Sequence, residues 1–180
     1  MKKTIILIYG LSGAGKTTLA KFIADRLAGN CIWFNADKVR STLSKDLNFT
    51  EEARIEQARR MGCLASLSLE GSSAQYCIVD FINPTVQTYE TFRLNSKRPA
   101  GKKLDDRFRV PESFTNETEY PIFSIFMDTV NKKSEFKDTD ALFQDALNVR
   151  KPDLHIEEYL VDDEAFAILA DTVVMKLKCI

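Results

Sequence analysis

The sequence predicts an α/β domain in which helices cover both faces of a mainly parallel sheet. Three observations carry that expectation. Short apolar, β-branched runs alternate with segments of helical periodicity, a glycine-rich turn joins the first run to the first helix, and size and apolar content suit a single core. The chain has 180 residues, 44% hydrophobic and 28% charged, and twelve Phe among them argue against disorder. One domain over residues 1–180 is therefore expected.

Residues 4–9 form a continuous apolar and β-branched run ending at Gly10, the pattern of a strand buried on both faces. Leu19, Phe22, Ile23 and Leu27 recur at helical spacing, with Gly29 as the stop. Residues 31–34 read as a second strand, 37–44 as one or two helical turns, and 51–69 as a long helix. Thr50 is placed to cap that helix, and Glu51 and Glu52 complement the positive end of its dipole. Residues 75–82 are the next buried strand, stopped by Asn83-Pro84, and 85–94 read as helix. From 95 to 120 the composition turns to prolines and charges, which predicts a surface insertion. A strand at 122–127, a helix at 138–147 and a short strand at 154–156 follow. A closing helix at 163–178 places Phe166, Leu169, Val173 and Leu177 on one face.

Charge and cysteine usage exclude several classes. Lys and Arg total 25 against 26 Asp and Glu, for a formal net charge of -1 and a pI near 5.9, so nothing global attracts nucleic acid or an anionic membrane. An anion must be held by locally placed charge. The opening apolar run is too short to span a bilayer or to act as a signal segment, and a cytoplasmic protein is expected. Cys31, Cys63, Cys77 and Cys179 are scattered with no CxxC pair, which predicts reduced core thiols and no zinc site. The single histidine, His155, lies in a short alternating stretch and is expected to be structural.

Gly10-Leu11-Ser12-Gly13-Ala14-Gly15-Lys16-Thr17 matches G-x-x-x-x-G-K-[ST], followed by Thr18. The match lies between a predicted strand and a predicted helix, the context this motif requires, and argues against a chance glycine turn. The glycines let successive N–H groups face phosphate oxygens, and the helix beginning near Gly15 adds its positive end. Lys16 supplies charge to the β and γ phosphates, and Thr17 offers a hydroxyl to Mg²⁺. The motif implies a P-loop NTPase-type three-layer fold that binds a nucleoside triphosphate with Mg²⁺, and by itself does not tell an ATP-using kinase from a GTPase or a mechanical ATPase. No N-K-x-D guanine-reading motif occurs, and the small size favours a small-molecule kinase over a motor ATPase.

Asp37, after the second strand, is the general-base candidate, and the same position suits an N-cap of the following helix. Lys16 joins it in the catalytic set. Arg40, Arg54 and Arg60 offer fork-shaped charge for substrate phosphates or, in the bland alternative, surface ion pairs. Arg54 and Gln57 share a helix face. Phe49 is placed to stack on a base, with core packing as its competitor. Asp80, at the end of an apolar run, suits either a water-mediated hold on Mg²⁺ or a strand-end turn. The insertion carries Lys97, Arg98, Lys102, Lys103, Arg107 and Arg109, which suit a basic lid or a solvated loop.

GLSGAGKTT, NADKVRSTLSKDLNF, TEEARIEQARRMG and VDFINP together resemble adenylylsulfate kinase, which phosphorylates the ribose 3'-hydroxyl of adenylyl sulfate with ATP. The resemblance is close over residues 5–84 and weaker beyond. It implies that Asp37 is the catalytic aspartate. It further implies that Arg40, Phe49, Arg54 and Gln57, with the Phe81-Ile82-Asn83 segment, bind a small-molecule nucleotide, and that the protein is a homodimer. The chain departs from the family pattern at several places. Asn35-Ala36-Asp37 stands for DGD, Gln57 for Asn and Asn83 for Ser, and the R-D-x-K-G-L-Y lid is replaced from Asp128 onward. Family members in capsule phosphoramidate assembly act on cytidine diphosphoramidate. Because the departures cluster where base and terminal anion are read, that acceptor is favoured here over adenylyl sulfate. A nucleotide-binding regulatory protein without transfer chemistry is the alternative of another class.

Overall fold

A computed structural model describes residues 2–97, 119–129, 151–158, 160 and 162–180. The first strand, β1 (Thr4–Gly10), is buried along its whole length because helices cover both sides of it. Around it lie β2 (Cys31–Asn35), β3 (Tyr76–Phe81), β4 (Ile122–Met127) and β5 (Leu154–Ile156). All pairings are parallel, in the order β2-β3-β1-β4-β5. The helices are α1 (Lys16–Arg26), α2 (Ala36–Thr42), α3 (Glu51–Glu70), α4 (Val86–Asn95) and α5 (Asp163–Leu177).

The period of two along β1 divides the interior into two layers. Ile5, Leu7 and Tyr9 pack with Met61, Ala65 and Leu69 of α3 and Phe92 of α4. Ile6 and Ile8 turn the other way, against Leu19 and Ile23 of α1 and Phe166 and Val173 of α5. A strand that feeds two cores has no polar face, which is why its sequence is an unbroken apolar run.

The observed elements follow the expected ones with small shifts. β2 continues to Asn35, whose side chain accepts from the Lys38 backbone N–H and caps α2, so that helix begins at Ala36 and ends at Thr42. Asp37 is therefore not the cap. Thr50 caps α3 as expected. Thr85 is a cap and not a helical residue, in a reciprocal box with Thr88. The expected helix at 138–147 and nearly all of the 95–120 insertion lie outside the described residues; at its margins Lys97 pairs with Glu119 at 2.8 Å.

Of the four thiols, Cys77 is buried and its pKa is pushed up to about 12 by desolvation. Cys179 is exposed on the last turn, which corrects the expectation of a core position. His155 stacks on Phe126 at 5.0 Å between ring centroids and faces Asp128 at 3.3 Å, a packing role. Among the described residues no helix is long and apolar enough to cross a membrane.

Candidate active site

The phosphate loop leaves β1 at Gly10, where φ is 149° and a Cβ would collide with the Met127 carbonyl at the end of β4. At its other end Gly15 precedes α1 with φ 83°, and a Cβ there would come within 2.8 Å of the Phe166 ring. Both positions need a residue without a side chain. Thr129 ties the loop to the end of β4 by donating its hydroxyl to the Ala14 carbonyl at 2.7 Å. Ser12, Gly13, Gly15, Lys16, Thr17 and Thr18 line a cleft of about 360 Å³, whereas Gly10, Leu11 and Ala14 are not among its lining residues.

Lys16 is 9% exposed, and its ammonium donates to the Leu11 carbonyl at 2.6 Å. Burial lowers its pKa to about 8, and the nearby Asp80 and Asp37 carboxylates offset part of that shift. Thr17 Oγ1 donates to Asp80 Oδ2 at 2.7 Å. Asp80 also accepts from Asn35 Nδ2 at 2.8 Å and from Trp33 Nε1 at 2.7 Å. The parallel register that pairs Asn35 with Asp80 brings these groups together at the carboxyl ends of β2 and β3. A hydroxyl beside a carboxylate is a hard-oxygen pair that suits Mg²⁺. No group of three or more His, Cys, Asp or Glu suited to a metal occurs among the described residues, so a cation there would complete its shell with water and phosphate oxygens.

The other half of the cleft holds the acceptor-side candidates. Asp37, Arg40, Phe49, Arg54, Gln57, Phe81, Ile82 and Asn83 all line the cleft, as does Asp80. Asp37 is exposed on the first turn of α2. The Arg40 guanidinium lies 4.9 Å from the Phe49 ring centroid and donates to the Asn48 carbonyl at 2.7 Å. Burial first, and then the like charge of Arg54, lower the pKa of Arg40. Arg54 Nε donates to the Phe49 carbonyl at 3.0 Å. Phe49 is itself 71% exposed, which rules out core packing, and it lines the cleft.

Arg60 is not among the lining residues. It forms a two-pronged pair with Asp46, both bonds at 2.6 Å, and a third bond to Glu56 at 2.9 Å, so its phosphate-binding reading is corrected to an ion-pair network. Sequence reasoning missed Trp33 and Asn35 as the groups that hold Asp80, and Ala36 and Pro84 as lining. Only the strand-end position of Asn35, beside the candidate Asp37, could have signalled its part.

A model of the adenylylsulphate kinase family matches residues 2–153. An adenylyl-sulfate kinase of Acaryochloris marina is 46% identical over 70 residues, 37% of this chain and 34% of that protein. One of a Shewanella species is 35% identical over 113 residues, 61% of this chain and 53% of that protein. The chain thus spans about a third to a half of the length of these curated relatives. Among solved structures, the Mycobacterium tuberculosis APS kinase CysC in complex with AMPPNP and APS superposes with a TM-score of 0.65 at 20% identity, over 98% of both chains. At that identity the likeness speaks to the fold, a parallel sheet flanked by helices. The family match covers most of the chain and includes the phosphate loop and the residues opposite it, and the chain belongs to the adenylylsulphate kinase family.

Proposed function

We propose that the protein is a nucleotide 3'-kinase that moves the γ-phosphoryl group of ATP to the ribose 3'-hydroxyl of adenylyl sulfate. The observation that carries this reading is one cleft shared by two kinds of group. Lys16, Thr17 and Asp80 form a phosphate end, and Asp37, Arg40, Phe49 and Arg54 form an acceptor end. Lys16 exchanges the Leu11 carbonyl for phosphate oxygens when ATP enters. Asp37 accepts the proton of the attacking hydroxyl, and exposure keeps its carboxylate accessible to a bound ribose. Arg40 and Arg54 hold the acceptor's anionic groups, and the Phe49 ring stacks on its base. Thr17 and Asp80 would hold Mg²⁺, which when bound would neutralise phosphate charge. The protein's share of the catalysis is positioning and electrostatics.

The family match over 2–153 and the adenylyl-sulfate kinase relatives support adenylyl sulfate over the cytidine diphosphoramidate favoured from the sequence. Cytidine diphosphoramidate is retained as a second reading because Gln57 and Asn83, both in the cleft, depart from the family pattern. The test is incubation of the full chain with γ-labelled ATP, Mg²⁺ and each acceptor in turn. Label in a 3'-phosphorylated product identifies the substrate, and no transfer to either would favour the non-catalytic alternative. Sedimentation velocity reads the homodimer that the family resemblance implies.

A further inference from the structure

The Ala14 carbonyl, inside the phosphate loop, takes its donor from far along the chain. Thr129 is 4% exposed, and its hydroxyl donates to that carbonyl at 2.7 Å across 115 residues of sequence. The donor is itself held in place. The neighbouring Asp128 backbone N–H donates to the Ile156 carbonyl at 2.8 Å, at the end of β5, and a β-branched side chain has few χ1 choices.

The peptide that carries the Ala14 carbonyl also carries the Gly15 N–H. It is trans and planar, so the two groups point in opposite directions. A carbonyl anchored toward Thr129 therefore turns the Gly15 N–H away from Thr129. Gly15 lines the cleft and Thr129 does not, and the Gly15 N–H has no hydrogen-bond partner among the described residues.

Glycine at this position makes such an anchor necessary. A Cβ would come within 2.8 Å of the Phe166 ring, and φ is 83°. The same lack of a side chain lets glycine adopt φ of either sign, so the Ala14–Gly15 peptide can turn over at little steric cost. Turned over, it would present a carbonyl oxygen where the N–H stood, and that dipole repels a phosphate. The bond from the Ala14 N–H to the Leu11 carbonyl, at 3.3 Å, holds the preceding peptide and not this one. Building on the reading of this loop as a nucleotide-phosphate site, we propose that Thr129 is a positioning residue that holds the Ala14–Gly15 peptide with its N–H turned into the cleft as a donor to the nucleotide's phosphates.

The test uses the full chain with Mg²⁺, titrated calorimetrically with ADP and with inorganic tripolyphosphate, which has phosphates and no nucleoside. Thr129→Val keeps the shape of the side chain and loses the donor, Thr129→Ala loses donor and volume, and Thr129→Ser keeps the donor. The Val and Ala variants are each expected to bind both probes about tenfold or more weakly than wild type. Thr129→Ser is expected to stay within about threefold of wild type. With [15N]glycine labelling, the Gly15 amide proton is expected to move downfield on addition of Mg²⁺ and ADP in wild type and Thr129→Ser, and to move less in Thr129→Val. Thermal melting confirms that each variant is folded at the titration temperature, and either hydroxyl-free variant suffices. A role confined to holding the fold would lower the melting temperature of the Val and Ala variants and leave their affinities and the Gly15 shift at wild-type values. That result, or an equal loss of affinity in Thr129→Ser, overturns this inference alone. No binding of either probe by wild type overturns the phosphate-loop reading and this inference with it.

Discussion

The Thr17 hydroxyl donates to Asp80 Oδ2 at 2.7 Å and links the first turn of α1 to the end of β3 across 63 residues of sequence. Trp33 and Asn35 donate to the same carboxylate, so three donors from two other segments converge on one buried side chain. Asp80→Ala leaves those donors without their acceptor. It is expected to lower stability by at least ~2 kcal/mol, read as a lower urea midpoint at unchanged slope, and to abolish Mg²⁺-dependent ATP binding. A midpoint equal to wild type would show that the carboxylate is not an anchor.

Lys16 is expected to oppose stability while serving function. Its pKa is about 8 in the fold against 10.5 in an open chain. Below about pH 8 it is charged in both states and the full burial cost is present. Between about 8 and 10.5 the folded protein has lost the proton that the unfolded chain retains, so stability rises with pH over that window. Lys16→Met removes the cost and is expected to stabilise the protein at pH 7 by up to roughly 3 kcal/mol while eliminating ATP binding. Thermal melting and calorimetry check the two halves, and a melting point at or below wild type would count against the burial argument. Near pH 8.5 ATP binding is expected to take up protons, seen as a dependence of binding enthalpy on buffer ionisation.

Asp37 lines the cleft from an exposed position, and its side chain makes no hydrogen bond or ion pair among the described residues. Asp37→Asn is expected to reduce kcat by about 10²- to 10⁴-fold, with ATP affinity and melting temperature close to wild type. Single-turnover transfer to adenylyl sulfate is the measurement. Full turnover in the variant would remove Asp37 as the base.

Trp33 is the chain's one tryptophan, and its indole donates to the Asp80 carboxylate. Addition of Mg²⁺ and ATP is therefore expected to change its fluorescence without any added label. Trp33→Phe is expected to cost about 1 kcal/mol of stability and to raise the Mg²⁺ concentration needed for half-maximal activity. If the emission ignores Mg²⁺ and ATP and the variant's Mg²⁺ requirement is unchanged, the indole does not position the carboxylate.

Phe49 presents a largely exposed ring beneath the Arg40 guanidinium. Phe49→Ala is expected to leave stability within about 0.5 kcal/mol, since it opens no core cavity. Loss of base stacking is expected to raise the acceptor KM by about tenfold with the ATP KM unchanged. An acceptor KM equal to wild type would leave the ring without a role in binding.

Much of this architecture was legible residue by residue. The strands at 122–127 and 154–156 were placed to the residue, because apolar runs bounded by breakers have few alternatives. The start of α2 was misplaced because Asn35 serves at once as strand end and helix cap. Arg60 could not be told from Arg40 in sequence. Each is an arginine near polar residues, and only the fold decides that one meets Asp46 and Glu56 while the other meets Phe49 at the cleft.

The sequence by itself determined the phosphate loop, the strand before it and the helix after it. That chemistry resides in the backbone of contiguous residues, and its glycine requirement is written at fixed spacing. It also placed Asp37 and the arginine-bearing helix, which neighbour their motifs along the chain. Tertiary structure alone decided that Trp33, Asn35 and Thr17 converge on Asp80, and that Gln57 and Asn83 are buried with amide atoms that have no partner among the described residues. Those relationships depend on the register of β2 against β3 and on the packing of α3 against the sheet. Side chains distant in sequence acquire hydrogen-bond partners, or are left without them, only once that packing sets the distances between them.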